Sequence, residues 1–358
     1  MRRIWLPALC AGLLLTGCSG LPAAREMGDM ALLRTMGVDA APAGVELTVS
    51  TGPRARGLQG EGTPALTLSA GGESLSAACL ALQGRSDSYV FFDYVDQLLL
   101  GEELVRSGVL PVLDYFARDT ELGLGAQLWL VRGDTARAAV ESGGEQGVEG
   151  RLSTLRTDGK LGAAAITRTA GELCTDLLEL GCAYAPALSL EGEDPVLGER
   201  GYGVLDESGL LGYLGGAAAR GLELLAGRAP AQVLTAGVGE GQISARPLGV
   251  SLEPELVLQA GEIAGLDLDC RVEMGLTEYR QAPSPEALEA LQEELARRLL
   301  VQMEAALEQL QAWGADCAGL GARAGLSCPG AWQRAEGIWA DRFAGLAVRV
   351  DLRVTIHQ

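Results

Sequence analysis

The 358-residue chain carries 47 acidic side chains against 28 lysines and arginines, a formal net charge of −19. So acidic a surface repels nucleic acid and a bare anionic bilayer, which removes both as charge-driven partners. It has one lysine, Lys160, one histidine, His357, and no asparagine; N-linked glycosylation and asparagine-built oxyanion holes are therefore excluded, and Ser-His-Asp or Cys-His catalysis lacks a well-placed base.

The chain opens MRRIWLPALCAGLLLTGCSG. Arg2 and Arg3 precede an apolar run from Ile4 to Leu15, the layout of an export signal. The run is 12 residues long, whereas a membrane-crossing helix needs about 20. Leu15-Thr16-Gly17-Cys18 reads as a bacterial lipobox: the Cys18 thiol takes a diacylglycerol group, and cleavage then leaves Cys18 as the first mature residue. Residues 1–17 are thus expected to be a signal peptide. Their removal takes two arginines, leaving 26 basic and 47 acidic side chains and a charge of −21.

Farther along, VELTVS reads as a strand, GPRARGLQGEG (52–62) as a loop, Ala65 to Ser69 as a strand and Ser74 to Leu82 as a helix. GEELVRSG and VLPVLDYFARD read as two short helices and AQLWLVRG as a strand. A surface loop is expected at 141–150. Acidic residues, glycines and Pro195 interrupt the pattern at EGEDPVLGERG (191–201), where the main boundary is placed: an N-terminal region over 18–196, with up to two subdomains, and a C-terminal domain over 197–358. In the latter, LDLDCRVEMGLTEY and LAVRVDLRVTI alternate apolar and polar residues, as half-buried strands do. Between them Ser284 is an N-cap, Pro285 the first helical residue, and Glu286 and Glu289 face the positive end of the helix dipole. Leu288, Leu291, Leu295, Leu299, Met303, Leu307 and Leu310 form one stripe at helical spacing, expected to pack against a sheet. The fold class is α+β, with two to three mixed α/β domains. Its C-terminal domain is expected to set long antiparallel strands against one long helix.

Beyond Cys10 and Cys18, the cysteines are Cys79, Cys174, Cys182, Cys270, Cys317 and Cys328. An exported chain permits disulfides, with Cys174/Cys182 or Cys317/Cys328 as local pairs; Cys270 reads as a buried thiol. No CxxC spacing supports zinc, and no G-x-S-x-G, H-E-x-x-H or Walker A run is present. The glycine-rich fragments 237–241 and 319–325 are unremarkable in a chain with 50 glycines. Glu102, Glu103, Asp114 and Asp119 are carboxylates of the kind glycoside hydrolysis uses, but they read as helix-end and surface charge, with Arg118-Asp119 as an ion pair holding a turn. Trp313, Trp332 and Trp339 read as core aromatics more readily than as a sugar platform. No catalytic, cofactor or metal residue emerges.

Several segments, taken together, resemble the Ger(x)C family of spore germination lipoproteins, the C subunits of nutrient germinant receptors. They are Cys18 with REMGDMALLRTMGVDAAPAGVELTVS; QGRSDSYVFFDYVDQLLLGEELVRSGVLPVLDYFARDTELGLGAQLWLVRG; GYGVLDESGLLGYLGGAAARGLELLAG, with a helix opening on Arg220-Gly221; and the closing block with Asp316, Gly319, Gly321, Trp332 and Trp339 in order. Asp93-Tyr94 stands where many relatives carry Gly-His, and the cysteines outnumber those expected of the family. The resemblance implies a noncatalytic lipoprotein on the outer face of the spore inner membrane, working beside an A and a B membrane subunit, held in the bilayer through acylated Cys18, without cofactor. The rival readings are a solute-binding lipoprotein, which needs a cleft between two similar lobes, and an envelope glycan hydrolase, which needs two converging carboxylates.

Overall fold

A computed structural model describes residues 30–53, 64–160, 162, 164–192, 196–238, 241–280 and 283–357. Residues 1–17, expected to be a signal peptide, and Cys18 lie outside these residues, as does most of the expected loop at 52–62. Among the described residues, no helix is long and apolar enough to cross a membrane.

The larger sheet has nine strands. In spatial order they are β11 (Gly209–Leu214), β10 (Val196–Asp206), β9 (Cys182–Glu191), β7 (Gln127–Val131), β6 (Gln97–Gly101), β2 (Thr35–Ala41), β3 (Gly44–Ser50) and β4 (Thr67–Gly72), with β8 (Arg168–Thr169) beside β7. The central strands β2, β6, β7 and β9 run parallel. Parallel strands are covered on both faces and read as unbroken apolar runs, which is what QLLLG and QLWLV are. Side chains alternate between faces. Leu98, Leu100, Leu128 and Leu130 enter one core with α1 (Leu75–Gln83), α2 (Glu102–Ser107), α3 (Leu110–Arg118) and α6 (Ala170–Leu180). Leu99, Trp129 and Val131 enter another on the opposite face, with α4 (Ala136–Glu141) and α5 (Glu149–Lys160). A separate parallel pair joins β1 (Met30–Leu32) to β5 (Tyr89–Phe91).

The sheet continues across the expected boundary. β9 and β10 pair antiparallel, with Glu191 opposite Val196, and β10 and β11 carry the sheet to its edge. There Tyr184, Tyr202 and Val204 pack with the residues of the C-terminal half in one core. That half holds α7 (Gly216–Leu225) and a four-stranded sheet ordered β12 (Leu234–Val238), β13 (Gly241–Gln259), β14 (Glu262–Glu278) and β15 (Ala347–His357).

The expected antiparallel pairing holds for β13 and β14, but β15 runs parallel to β14. The 29-residue α8 (Pro285–Trp313) explains the difference, because it carries the chain back along the sheet before β15 begins, and such a crossover joins parallel strands. The helix starts where the sequence indicates, with Ser284 Oγ accepting from the Ala287 N–H and Pro285 in the first turn. Leu291, Leu295, Leu299, Met303, Leu307 and Leu310 are buried. Short helices α9 (Leu320–Gly325), α10 (Pro329–Ala335) and α11 (Trp339–Ala344) complete the chain before β15.

Candidate functional site

The junction between the two halves is built on a buried carboxylate. Glu223, on α7, is 2% exposed. Tyr202 of β10 donates its hydroxyl to Glu223 Oε1 at 2.6 Å, and the Arg220 guanidinium donates to both carboxylate oxygens at 3.1 Å. The same Tyr202 hydroxyl accepts from the Ile166 N–H at 2.7 Å, so one phenol ties the sheet, the segment before β8, and α7. Tyr202 meets Tyr184 edge to face, with centroids 5.6 Å apart. Arg168 then lies over the Tyr184 ring at 4.5 Å and donates to Asp176 at 2.6 Å. Burial pushes the Glu223 carboxyl above its ordinary range, against the opposing pull of Arg220 and Tyr202.

A cleft of about 410 Å³ opens over this network, lined by Arg132, Glu199, Arg200, Gly216, Arg220 and Glu223 among others. Glu199 is also pushed up by burial, while accepting from the Ala165 N–H at 3.0 Å. Two carboxylates therefore do line one cleft. Glycosidase chemistry needs one free to donate a proton and one free to attack or activate water; both oxygens of Glu223 are already held by Arg220, and one by Tyr202 as well, so the chain itself occupies that carboxylate. The two halves of the protein also differ, one built on a nine-stranded mixed sheet and the other on a four-stranded sheet among the described residues, unlike the paired lobes of the solute-binding reading.

Arg220-Gly221 sits in the middle of α7, which begins at Gly216, rather than at the helix opening. Arg220 holds Glu223. Gly221 packs against α8 so closely that a Cβ there would lie 1.9 Å from the Gln302 carbonyl oxygen. The closing block has an equally definite role. Asp316 accepts from the Leu320 and Gly321 N–H groups at 2.8 and 2.7 Å and from Trp339 Nε1 at 2.8 Å. A Cβ on Gly321 would meet the Trp339 ring at 2.3 Å, and Gly319 takes φ +65°. Trp332 and Trp339 pack edge to face at 5.1 Å. Trp339 is buried in the core and Trp332 packs half-buried against it, in line with the reading of core aromatics.

The remaining candidates separate. Arg118 pairs with Asp114 at 2.9 Å and both are exposed; Asp119 instead caps the following turn by accepting from the Glu121 and Leu122 N–H groups. The turn is held, but not by Arg118-Asp119, because the i, i+4 spacing on α3 aims Arg118 at Asp114. Glu102 accepts from Arg106 and from the Gly133 N–H, which hold its carboxyl low despite partial burial. His357 is exposed beside Glu273. The six described cysteines are free thiols. Cys174 packs against the core under the larger sheet and Cys182 belongs to the core shared with the C-terminal half, and neither they nor Cys317 and Cys328 are joined. Cys270 is buried, and desolvation pushes its thiol up to about 12. Among the described residues no acidic, cysteine or histidine cluster suits a metal.

The Tyr202–Glu223 pair had no local sequence signal, since its partners lie 21 residues apart on different elements. Asp39 was missed likewise: it is buried and accepts from the Ala136 and Arg137 N–H groups at 2.7 and 2.8 Å, capping α4 from β2.

Comparison with known proteins follows the same two-part layout. Residues 23–190 match the family described as spore germination protein N-terminal domain, and residues 200–358 match the family described as spore germination B3/GerAC like, C-terminal. The solved crystal structure of the GerBC protein is similar to this chain, with a TM-score of 0.61 and 18% identity, covering 90% of this chain and 97% of that one. At that identity the likeness speaks to the fold. No curated protein matches the chain.

Proposed function

The chain belongs to the GerAC-like family of spore germination proteins, and from that premise we propose that it is a noncatalytic, lipid-anchored C subunit of a germinant receptor. The observation that carries this reading is the pair of family matches, which together take in nearly all of the chain beyond residue 22. The site geometry supports it: the junction carboxylate is engaged within the chain, and the network at Tyr202 and Glu223 fixes one half of the protein against the other.

In this proposal Cys18 carries the fatty chains that hold the body on the outer face of the spore inner membrane. Each buried CH₂ contributes about 0.8 kcal/mol, and one chain alone binds marginally, so two or three chains anchor stably. Confinement to the bilayer raises the concentration of the subunit around multi-span A and permease-like B partners, so modest contacts suffice for assembly. An acidic surface with no membrane affinity of its own makes that anchor indispensable.

Replacing Cys18 with Ala in the native organism tests the mechanism. The variant is expected to leave the membrane fraction and to lower the amount of A subunit recovered with it. Full membrane retention of Cys18→Ala would overturn the anchoring role, and undiminished recovery with the A subunit after release would overturn the assembly role.

A further inference from the structure

The last strand of the smaller sheet lies at its edge. β15 pairs with β14 on one side, in unbroken register from Ala347 to His357, and among the described residues no strand pairs with its other side. It contains no proline and no bulge, the usual devices that blunt such an edge. Its inward side chains Val348, Val350, Leu352, Val354 and Ile356 are all only partly buried. On β14 beside them, Leu266, Leu268, Cys270, Val272 and Met274 are at most 1% exposed. The difference lies in the open flank of β15.

The charges on the other face indicate what fits there. Arg349, Asp351 and Arg353 alternate along the strand. Arg349 and Arg353 reach Asp267 and Asp269 of β14, both at 2.6 Å, while Asp351 is 67% exposed and touches only Arg353, at 3.5 Å.

We propose that the outer edge of β15 is an interface between two copies of this chain, paired antiparallel about a two-fold axis at Leu352 into one continuous sheet. In that register Asp351 of each copy faces Arg353 of the other, Arg349 faces Thr355, Val350 faces Val354, and Val348 faces Ile356. Directly opposed residues share a face in an antiparallel pair, so all five apolar side chains stay on the α8 side and the charges on the other. The full strand is used, because Leu352 is its midpoint.

Other registers fail on the same grounds. An axis at Asp351 or Arg353 sets like charges against each other. An axis at Val350 runs residues 355–357 into the end of α11, and one at Val354 engages only residues 351–357 of the strand. A slip of one residue sets apolar side chains against charged ones.

Sedimentation equilibrium of the full acylated chain in detergent micelles tests this. Wild type is expected to dimerise. Asp351→Arg alone sets Arg against Arg353 of the second copy, Arg353→Asp alone sets Asp against Asp351, and each is expected to dissociate at least tenfold more readily. Mixing the two variants restores both ion pairs in a heterodimer, and wild-type affinity should return. Thr355→Arg supplies an independent variant: it gains Glu273 of its own β14 as a neighbour, so its fold is kept, yet it opposes Arg349 of the second copy and weakens the dimer. A monomeric wild type, single variants that dimerise like wild type, a mixture that stays monomeric, or an indifferent Thr355→Arg would each overturn the interface.

Discussion

The closest approach in the junction gives the sharpest prediction, that Gly221→Ala destabilises the protein. In an exposed helix interior the same change stabilises by about 1 kcal/mol, because glycine loses the most backbone freedom on folding. Here the added Cβ would fall 1.9 Å from the Gln302 carbonyl oxygen, 2.6 Å from the Gln302 carbonyl carbon and 2.8 Å from Ala306 Cβ. Two of the three atoms are α8 backbone, so relief requires α7 and α8 to separate by more than 1 Å. A gap of about that size forfeits a quarter to a half of the dispersion attraction at each contact it opens, and the seam includes the buried Leu222, Leu225, Leu299, Met303 and Ala306. Overpacking of a tight core costs about 1–3 kcal/mol. With the helix-propensity gain of about 1 kcal/mol set against it, the net expectation is a loss of up to about 2 kcal/mol. Urea unfolding followed by tryptophan fluorescence measures it, with Gly150→Ala as the internal control. Gly150 lies on α5 with no atom within 4 Å of a built Cβ, so that substitution should move the midpoint up. If both substitutions raise the midpoint, the close packing of α7 on α8 is refuted.

Tyr202→Phe should cost about 2–4 kcal/mol in the same assay, because it leaves the Ile166 N–H and the buried Glu223 carboxylate each short of a partner; a loss below 1 kcal/mol would show the junction network to be incidental. Burial outweighs three donated hydrogen bonds and pushes the Asp316 carboxyl up to about 6 from 3.8. A folded value above the unfolded one means its contribution is complete below about 3.8 and is lost as pH rises through 6, on the order of 3 kcal/mol. Asp316→Asn should flatten that slope between pH 4 and 7 while lowering stability throughout, since its amide group faces a donor. Trp339 emission should titrate with the same midpoint in the wild type, and an invariant emission over that range would contradict the assignment. Ala260, at the tip of the β13–β14 hairpin, holds φ +54° ahead of Gly261 at φ +86°. Ala260→Gly should therefore stabilise by roughly 0.5–1 kcal/mol; an equal loss would mean the turn has another conformation.

What could be read from sequence followed the range of the signal. Alternation revealed β14 and β15, and the Ser284-Pro285 start with its leucine stripe revealed α8, because each is a local pattern repeated over many residues. β13 escaped, although it is the longest strand, because Pro247 and Pro254 break its pattern. Both fall beyond Ala245, where β12 has ended and one side of the strand has no partner strand; a missing N–H is tolerated there. The direction of β15 was misread because alternation says nothing of polarity. Asp316, Gly319, Gly321 and Trp339 were picked out by resemblance, and their reason is one carboxylate anchoring an indole over a glycine. Tyr202, Glu223 and Asp39 carried no signal at all, since their partners meet only after the sheet has formed.

The pairing of β9 with β10 has a practical corollary for anyone dividing the gene. The two family matches part company between these strands, yet main-chain hydrogen bonds join them. A fragment stopping near residue 190 would leave one edge of the apolar β9 bare, and a fragment starting near residue 200 would keep β11 and only the latter part of β10, with nothing to lean on. Each piece is therefore expected to aggregate by itself, and to recover only when both are made together and the missing seam closes.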